Sequence, residues 1–132
     1  MPEPKQTILV LDDEERVREM LLDYLSEFKE FDEFELRGAR SGEEALEMLR
    51  QRSAALCVVD LRLPGMNGTD FIESAAAAKL SWHFIVHTGS GEFSLPRALQ
   101  DLGMVEADVF YKPVDMAEIV TRVRTLIKER RS

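Results

Sequence analysis

A short apolar run near the middle of the chain, from Ala55 to Val59, ends abruptly at Asp60. Pro64 and Gly65 then break the chain. An apolar segment of this length between turn signals is typical of a strand buried on both faces of a parallel sheet. Asp60 is therefore predicted at the carboxyl end of a central strand, the edge where open α/β sheets bind ligands. For this residue alone, an aspartate that caps a turn is the alternative.

The rest of the chain alternates between short apolar strands and amphipathic helices, so that a βα unit occurs five times. The strands are predicted at residues 7–11, 33–39, 55–60, 83–88 and 109–112. The helices are predicted after residue 12, at residues 41–51, 68–78 and 95–102, and after residue 115. This alternation predicts an α/β fold in which a doubly wound, five-stranded parallel sheet is covered on both faces.

Local signals define several helix starts and faces. Ser41 with Glu44 three residues later is a capping box, and residues 115–118 repeat the pattern. The third helix is expected to be capped by Asn67 or Thr69. Helical spacing predicts an apolar face on the first helix, made by Val17, Met20, Leu21, Tyr24, Leu25 and Phe28. It predicts another on the last helix, made by Met116, Ile119, Val120, Val123 and Ile127.

Aromatic residues and histidines outside these faces are interpreted as structural. Trp82, Phe110 and Tyr111 are expected to pack in the interior, and neither His83 nor His87 has neighbours that suggest a metal site.

Length, charge and cysteine content restrict the class of protein. With 132 residues, we expect one domain over residues 1–132, with a core at about 7–130. A net charge of −8 argues against direct contact with nucleic acid or an anionic membrane. The single cysteine, Cys57, allows no internal disulfide. With no signal peptide and no apolar run of membrane-spanning length, a cytoplasmic location is expected.

Polar side chains follow four of the predicted strands. The first strand is followed by Asp12 and Asp13, the third ends at Asp60, and the last two end at Thr88 and Lys112. If the strand order is 2-1-3-4-5, the three aspartates converge at one edge of the sheet. Their mutual repulsion favours a divalent cation, and oxygen ligands favour Mg²⁺. A lysine and a hydroxyl beside them suit a phosphoryl group that passes to a carboxylate oxygen.

This pattern resembles the response-regulator receiver domain of bacterial two-component signalling, especially the single-domain, chemotaxis-type receivers. The resemblance covers about residues 7–130 and implies a flavodoxin-like (βα)5 fold with strand order 2-1-3-4-5. The matching segments are ILVLDD at 8–13, SGEEAL at 41–46, VDLRLPGMNG at 59–68, TG at 88–89 and KP at 112–113. Each segment alone is weakly specific, but five of them in this order are highly specific.

The resemblance implies a set of ligands for Mg²⁺. Asp13 and Asp60 would bind the cation directly, together with the backbone carbonyl of Arg62, and Asp12 would orient it through water.

The resemblance also implies the chemistry and the partners. Asp60 would accept a phosphoryl group from the phosphohistidine of a sensor histidine kinase or a histidine phosphotransfer protein. Thr88 would bind a phosphoryl oxygen, and Lys112 would pair with Asp60 and then with the phosphoryl group. A cis Lys112–Pro113 bond is implied as well. Phosphorylation would switch a surface on helix 4, strand 5 and helix 5 that binds a downstream protein or a second copy of the chain. Such a receiver is a signalling module that acts only on its own aspartate.

Three features depart from the family pattern, all on the surface that normally signals. Val109 occupies the position of a mobile Tyr or Phe, the segment between Thr88 and Lys112 is longer, and residues 106–107 are Glu-Ala rather than Gly-Ala. We therefore expect the switch to depend on residues 89–103, with Tyr111 at most a partial substitute for the aromatic.

Two other functions remain open at this point. One is a phosphate-independent interaction module of receiver shape, against which the complete five-residue set argues. The other is a hydrolase or phosphotransferase with an aspartyl intermediate, for which the sequence offers no second general acid.

Overall fold

Strands and helices alternate throughout residues 5–129, the part of the chain that a computed structural model describes. The five strands are β1 (Thr7–Leu11), β2 (Glu35–Ala39), β3 (Ala54–Val59), β4 (Ser81–Thr88) and β5 (Val109–Tyr111). The five α-helices are α1 (Glu15–Ser26), α2 (Gly42–Gln51), α3 (Gly68–Ala77), α4 (Arg97–Asp101) and α5 (Met116–Glu129). Short 3₁₀ turns at Lys29–Phe31 and Glu106–Asp108 lead into β2 and β5.

The strands form one parallel sheet in the order β2-β1-β3-β4-β5, which confirms the predicted order. Every residue of β1 and β3 is buried, as their continuous apolar runs predicted. The more polar β2 lies at one edge, as the order 2-1-3-4-5 requires. Because β1 and β3 are neighbours, the residues that follow them meet at the centre of the carboxyl edge.

Helices cover both faces of the sheet, and each face has its own apolar core. In β1, Leu9 and Leu11 point into the core beneath α2, α3 and α4, whereas Ile8 and Val10 point into the core beneath α1 and α5. This alternation follows from the two-residue period of a strand. The last helix buries the predicted positions 119, 120, 123 and 127 and also Leu126.

Side-chain caps start α2 and α3 where the sequence placed them. The Ser41 hydroxyl accepts from the Glu44 backbone N–H, and the Glu44 carboxylate accepts from the N–H of Arg40. Asn67 rather than Thr69 caps α3, since its side chain accepts from the Asp70 N–H.

A glycine cap ends α4. Gly103 has φ +97, a conformation that favours glycine. The N–H groups of Gly103 and Met104 donate to the carbonyls of Gln100 and Leu99. This pair of bonds is the Schellman motif that ends many helices.

Three predictions about side chains were wrong. Tyr111, expected in the interior, is 39% exposed at the end of β5. Met20 is 55% exposed, because it is turned about 100° around the helix axis from the buried Leu21. Trp82 is 65% exposed at the start of β4 instead of packing in the interior. Helix α4 is also shorter than predicted, because Pro96 stands at its N-cap position. Residue 130, the predicted limit of the core, lies outside the described residues.

None of the helices within residues 5–129 is long and apolar enough to cross a membrane.

Candidate functional site

Three aspartates meet where β1 and β3 end side by side. The backbone N–H of Asp60 donates to the carbonyl of Leu11 at 2.9 Å, and that of Asp12 donates to the carbonyl of Ala39 at 3.1 Å. One carboxylate oxygen from each of Asp12, Asp13 and Asp60 lies within 4.8 Å of the others. Asp12 and Asp60 are buried, whereas Asp13 is exposed to solvent. The convergence inferred from the sequence is therefore present.

Lys112 reaches this cluster from the end of β5. Its Nζ lies 2.9 Å from Asp12 Oδ2 and 3.4 Å from Asp60 Oδ2. A third carboxylate, that of Glu14, lies 3.3 Å from the same nitrogen. The Lys112–Pro113 peptide bond is cis, as the resemblance implied. The ammonium group from the fifth βα unit is thus shared among carboxylates of the first and third units.

Burial and neighbouring charge shift the pKa values of the two central groups. Burial, followed by the charge of Asp12, raises the pKa of Asp60, although Lys112 and the N–H of Arg62 oppose the increase. Burial lowers the pKa of Lys112, but the hydrogen bond to Asp12 and the charges of Asp12 and Asp60 outweigh it, so that its pKa is raised overall. Lys112 is therefore a stable cation beside a carboxylate that is costly to ionise.

Thr88 and Arg62 lie beside this cluster in different environments. Thr88 is fully buried; its hydroxyl oxygen accepts from the Ser90 N–H at 3.2 Å, and its carbonyl accepts from the Lys112 N–H at 2.7 Å. The Arg62 N–H donates to Asp60 Oδ1 at 3.2 Å, and the Arg62 side chain is exposed. The role of the Arg62 carbonyl as a metal ligand stays a prediction.

Gly68, the first residue of α3, packs directly against the backbone at the end of β3. A Cβ atom at this position would lie 2.5 Å from the carbonyl oxygen of Asp60 and 2.7 Å from Cα of Leu61. Both neighbours are backbone atoms, so a side chain here would displace the segment that carries Asp60. Glycine at this position therefore helps to place Asp60.

His87 lies near the site as a neutral group. It is buried in β4, and burial together with the charge of Lys112 lowers its pKa to about 4. At neutral pH it therefore adds no charge to the acidic cluster, which agrees with its interpretation as a structural residue.

The donor set of the site fits a hard divalent cation. Carboxylate oxygens are the preferred ligands of Mg²⁺, and a cation would offset the repulsion among the three aspartates. The chain therefore has residues that could hold such an ion, namely Asp12, Asp13 and Asp60.

A large cavity lies elsewhere, at the opposite, amino-terminal edge of the sheet. It has a volume of about 870 Å³, and its lining includes Trp82, Leu102, Val105 and Arg122. None of the aspartates of the cluster lines it. Cavity size alone would have pointed to the wrong edge of the molecule.

Two residues of this region were missed in the sequence. Glu14 was not singled out as a site residue, yet it contacts Lys112. Arg18 is buried in α1 and bonds to the backbone of Asp12. The spacing of Arg18 could have predicted its burial. It lies three residues before Leu21 and seven before Leu25, and so on the buried face of the helix.

The comparison with family models is decisive. The model of the response regulator receiver domain matches residues 8–124. The chain belongs to the response regulator receiver domain family. The receiver is also 33% identical over 129 residues to transcriptional regulatory protein SrrA of Staphylococcus aureus (strain NCTC 8325 / PS 47), which covers 95% of this chain and 49% of that protein. It thus spans about half the length of the curated relatives that it matches.

Solved structures show the same fold. A response regulator receiver protein from Pseudomonas putida is 29% identical, with a TM-score of 0.73 over 94% of this receiver and 99% of that chain. The response regulator TrrA from Thermotoga maritima, solved in complex with Mg(2+)-BeF, is 24% identical. Its TM-score is 0.76 over 92% of this receiver and 98% of the TrrA chain.

Proposed function

We propose that this receiver accepts a phosphoryl group on Asp60 from the phosphohistidine of a sensor histidine kinase or a histidine phosphotransfer protein. The observation that carries the proposal is the position of the Lys112 ammonium, 2.9 Å from Asp12 and 3.4 Å from Asp60. A cation held against a buried carboxylate at the ligand-binding edge of the sheet is suited to phosphoryl chemistry.

The transfer is a displacement at phosphorus. A carboxylate oxygen of Asp60 forms the new P–O bond while the P–N bond of the donor phosphohistidine breaks. The imidazole nitrogen keeps the electron pair of that bond and takes up a proton. Lys112 neutralises charge on the phosphoryl oxygens, and the Thr88 hydroxyl donates to one of them. Such a reaction depends mainly on positioning and electrostatic stabilisation.

Asp13, Asp60 and the backbone carbonyl of Arg62 would hold Mg²⁺, with Asp12 acting through water. When bound, the cation supplies positive charge to the oxygens of the phosphoryl group. TrrA was solved with Mg(2+)-BeF, but at 24% identity this likeness bears on the fold alone. The proposal of Mg²⁺ rests on the three carboxylates of this chain.

The output surface in this proposal comprises α4, β5 and α5, and it binds a downstream protein or a second copy of the chain. A series of hydrogen bonds leads from the site to this surface. The Thr88 hydroxyl accepts from the Ser90 N–H, the Ser90 carbonyl accepts from the Phe93 N–H, and the Phe93 carbonyl accepts from the Tyr111 hydroxyl at 2.8 Å. If Thr88 turns toward a phosphoryl oxygen, Ser90 loses its partner and this loop rearranges.

Phosphorylation can be tested without a kinase. We expect the wild type, incubated with acetyl phosphate and Mg²⁺, to gain one labile phosphoryl group in an intact-mass measurement, and Asp60→Asn to gain none. Asp32→Asn is the matched control, since Asp32 is an exposed aspartate in the turn before β2, and it should label like the wild type. Equal labelling of Asp60→Asn would refute the assignment, and no labelling of any protein would favour the phosphate-independent module.

The metal role of Asp13 makes a separate prediction. Asp13→Asn should weaken Mg²⁺ binding in a calorimetric titration, because it removes a carboxylate ligand. It should also slightly raise the free energy of unfolding without metal, because it removes a like charge from the cluster. Asp32→Asn again provides the control. An unchanged Mg²⁺ affinity in Asp13→Asn would show that Asp13 is not a ligand.

A further inference from the structure

Arg18 is a charged residue in a buried position. Its side chain lies on the inner face of α1 with only 8% of the residue exposed. Its Nη1 donates to the backbone carbonyl oxygen of Asp12 at 2.8 Å. Removing a guanidinium from water is costly, and a single neutral carbonyl is weak compensation compared with a carboxylate. Packing alone therefore does not account for an arginine at this buried position.

Strand β2 leaves room for the Arg18 side chain, because it has a glycine at position 38. A Cβ atom at Gly38 in β2 would lie 2.9 Å from Cδ and 3.2 Å from Cγ of Arg18. The aliphatic part of Arg18 therefore lies against the bare backbone of Gly38. The glycine and the arginine together direct the guanidinium to the end of β1.

The carbonyl that Arg18 binds belongs to the peptide between Asp12 and Asp13. On one side of this peptide, the Asp12 N–H donates to the Ala39 carbonyl; on the other, the Glu14 N–H donates to Asp12 Oδ1. Since a peptide unit is planar, holding its oxygen sets the direction in which the chain leaves toward Asp13. Asp13 is the exposed member of the aspartate cluster, so its placement depends strongly on its backbone.

We infer that Arg18 is a positioning residue for the cation site: by binding the Asp12 carbonyl, it orients the Asp12–Asp13 peptide so that the Asp13 carboxylate faces Asp60. This inference rests on the proposed function, because it requires that the three carboxylates bind a divalent cation. It adds a residue that touches neither the cation nor the phosphoryl group.

The direction in which Mg²⁺ affinity changes on loss of Arg18 distinguishes a positioning role from a purely electrostatic one. Arg18→Met keeps most of the aliphatic stem and removes both the donor and the positive charge. If Arg18 acted only through its charge, its loss would make the acidic cluster more negative and tighten Mg²⁺ binding. If it orients the peptide, its loss weakens binding, and supporting residues of metal sites typically change affinity by about 10- to 100-fold.

Gly38→Ala tests the same contact from the other side and keeps the charge. The new methyl group would displace the Arg18 stem, so we expect Mg²⁺ affinity to fall in this variant too. Arg16→Met is the matched control: Arg16 is an exposed arginine of the same helix, and its loss should leave affinity unchanged or slightly higher. Thermal unfolding without metal shows that each variant is folded at the titration temperature. If Arg18→Met fails to fold, Gly38→Ala and Arg18→Lys decide the matter.

The measurement is a calorimetric Mg²⁺ titration of wild type and variants. Weaker binding in Arg18→Met and Gly38→Ala, with Arg16→Met at or slightly above wild-type affinity, supports the inference. Affinities equal to or tighter than wild type in both folded variants would overturn it and leave the proposed function intact. If the wild type itself bound no Mg²⁺, both the metal proposal and this inference would be overturned.

Discussion

At the scale of single residues, the site combines the buried carboxylate of Asp60 with the ammonium of Lys112. The positive charge of Lys112 offsets only part of the cost of ionising Asp60. Burial and Asp12 raise the pKa of Asp60, and Lys112 opposes this increase without cancelling it. A carboxyl group with a raised pKa in the folded state favours folding when protonated. Its contribution is fully present below its ordinary pKa of 3.8 and is lost as pH rises through the folded value. At neutral pH, the ionised Asp60 therefore destabilises the metal-free protein.

Asp60→Asn should accordingly raise the free energy of unfolding at pH 7 without Mg²⁺, by an amount on the order of 1 kcal/mol, the usual size of a single-substitution effect. The gain should shrink as pH falls through the raised pKa of Asp60, because the wild-type carboxyl group then becomes neutral as well. Urea denaturation at a series of pH values measures both effects. Asp32→Asn is the control and should show no such gain. A less stable Asp60→Asn at pH 7 would mean that the Lys112 contact outweighs burial.

Sequence reasoning at this scale found the residues that end strands and missed those that support them. Asp12, Asp60 and Lys112 follow apolar runs, so their convergence could be inferred once the strands were placed. Arg18 was missed because a charged residue is ordinarily assigned to the exposed face of a helix, and only its spacing opposed that assignment. No pattern in the sequence indicates that Glu14 contacts Lys112, since this depends on the three-dimensional path of two loops.

At the scale of elements, the strands were predictable and the connection after β4 was not. Central strands are continuous apolar runs, so β1 was placed to the residue and β3 to within one residue at each end. The segment from Gly89 to Gly103 contains one short helix, because Pro96 and a cap at Gly103 limit α4 to residues 97–101. A Cβ atom at Gly89 or Gly91 would meet no atom within 4 Å, so this loop is loosely packed at its start.

Hydrogen exchange should show whether this loop is the switch. We expect beryllofluoride with Mg²⁺ to change exchange at residues 89–103, because Ser90 depends on the Thr88 hydroxyl and Phe93 on Tyr111. Val109 is buried and β-branched, so its side chain has little freedom to move.

Tyr111→Phe removes the hydroxyl that binds the Phe93 carbonyl and should raise exchange in the loop even without beryllofluoride. Tyr24→Phe, a change in the half-buried tyrosine of α1, is the control. Changes confined to residues 109–112, with residues 89–103 unaffected, would contradict this account of the switch.

At the scale of the whole molecule, the layered fold followed from the alternation of strands and helices, whereas the strand order came from the family resemblance. Periodicity places side chains on a face but does not say which surfaces a neighbouring element will cover. Trp82 illustrates the difference: packing was predicted for this aromatic residue just before the fourth strand, but β4 begins beside an open cavity and Trp82 remains exposed.

The central claim is that the convergent site makes Asp60, and no other aspartate, the acceptor of the phosphoryl group. The most direct measurement is reduction of the acetyl-phosphate-treated protein with borohydride, which converts an aspartyl phosphate to homoserine, followed by peptide mass mapping. The account predicts homoserine at position 60 only when Mg²⁺ is present during labelling. Homoserine at position 12 or 13, or none at all in protein that carries the phosphoryl mass, would contradict it.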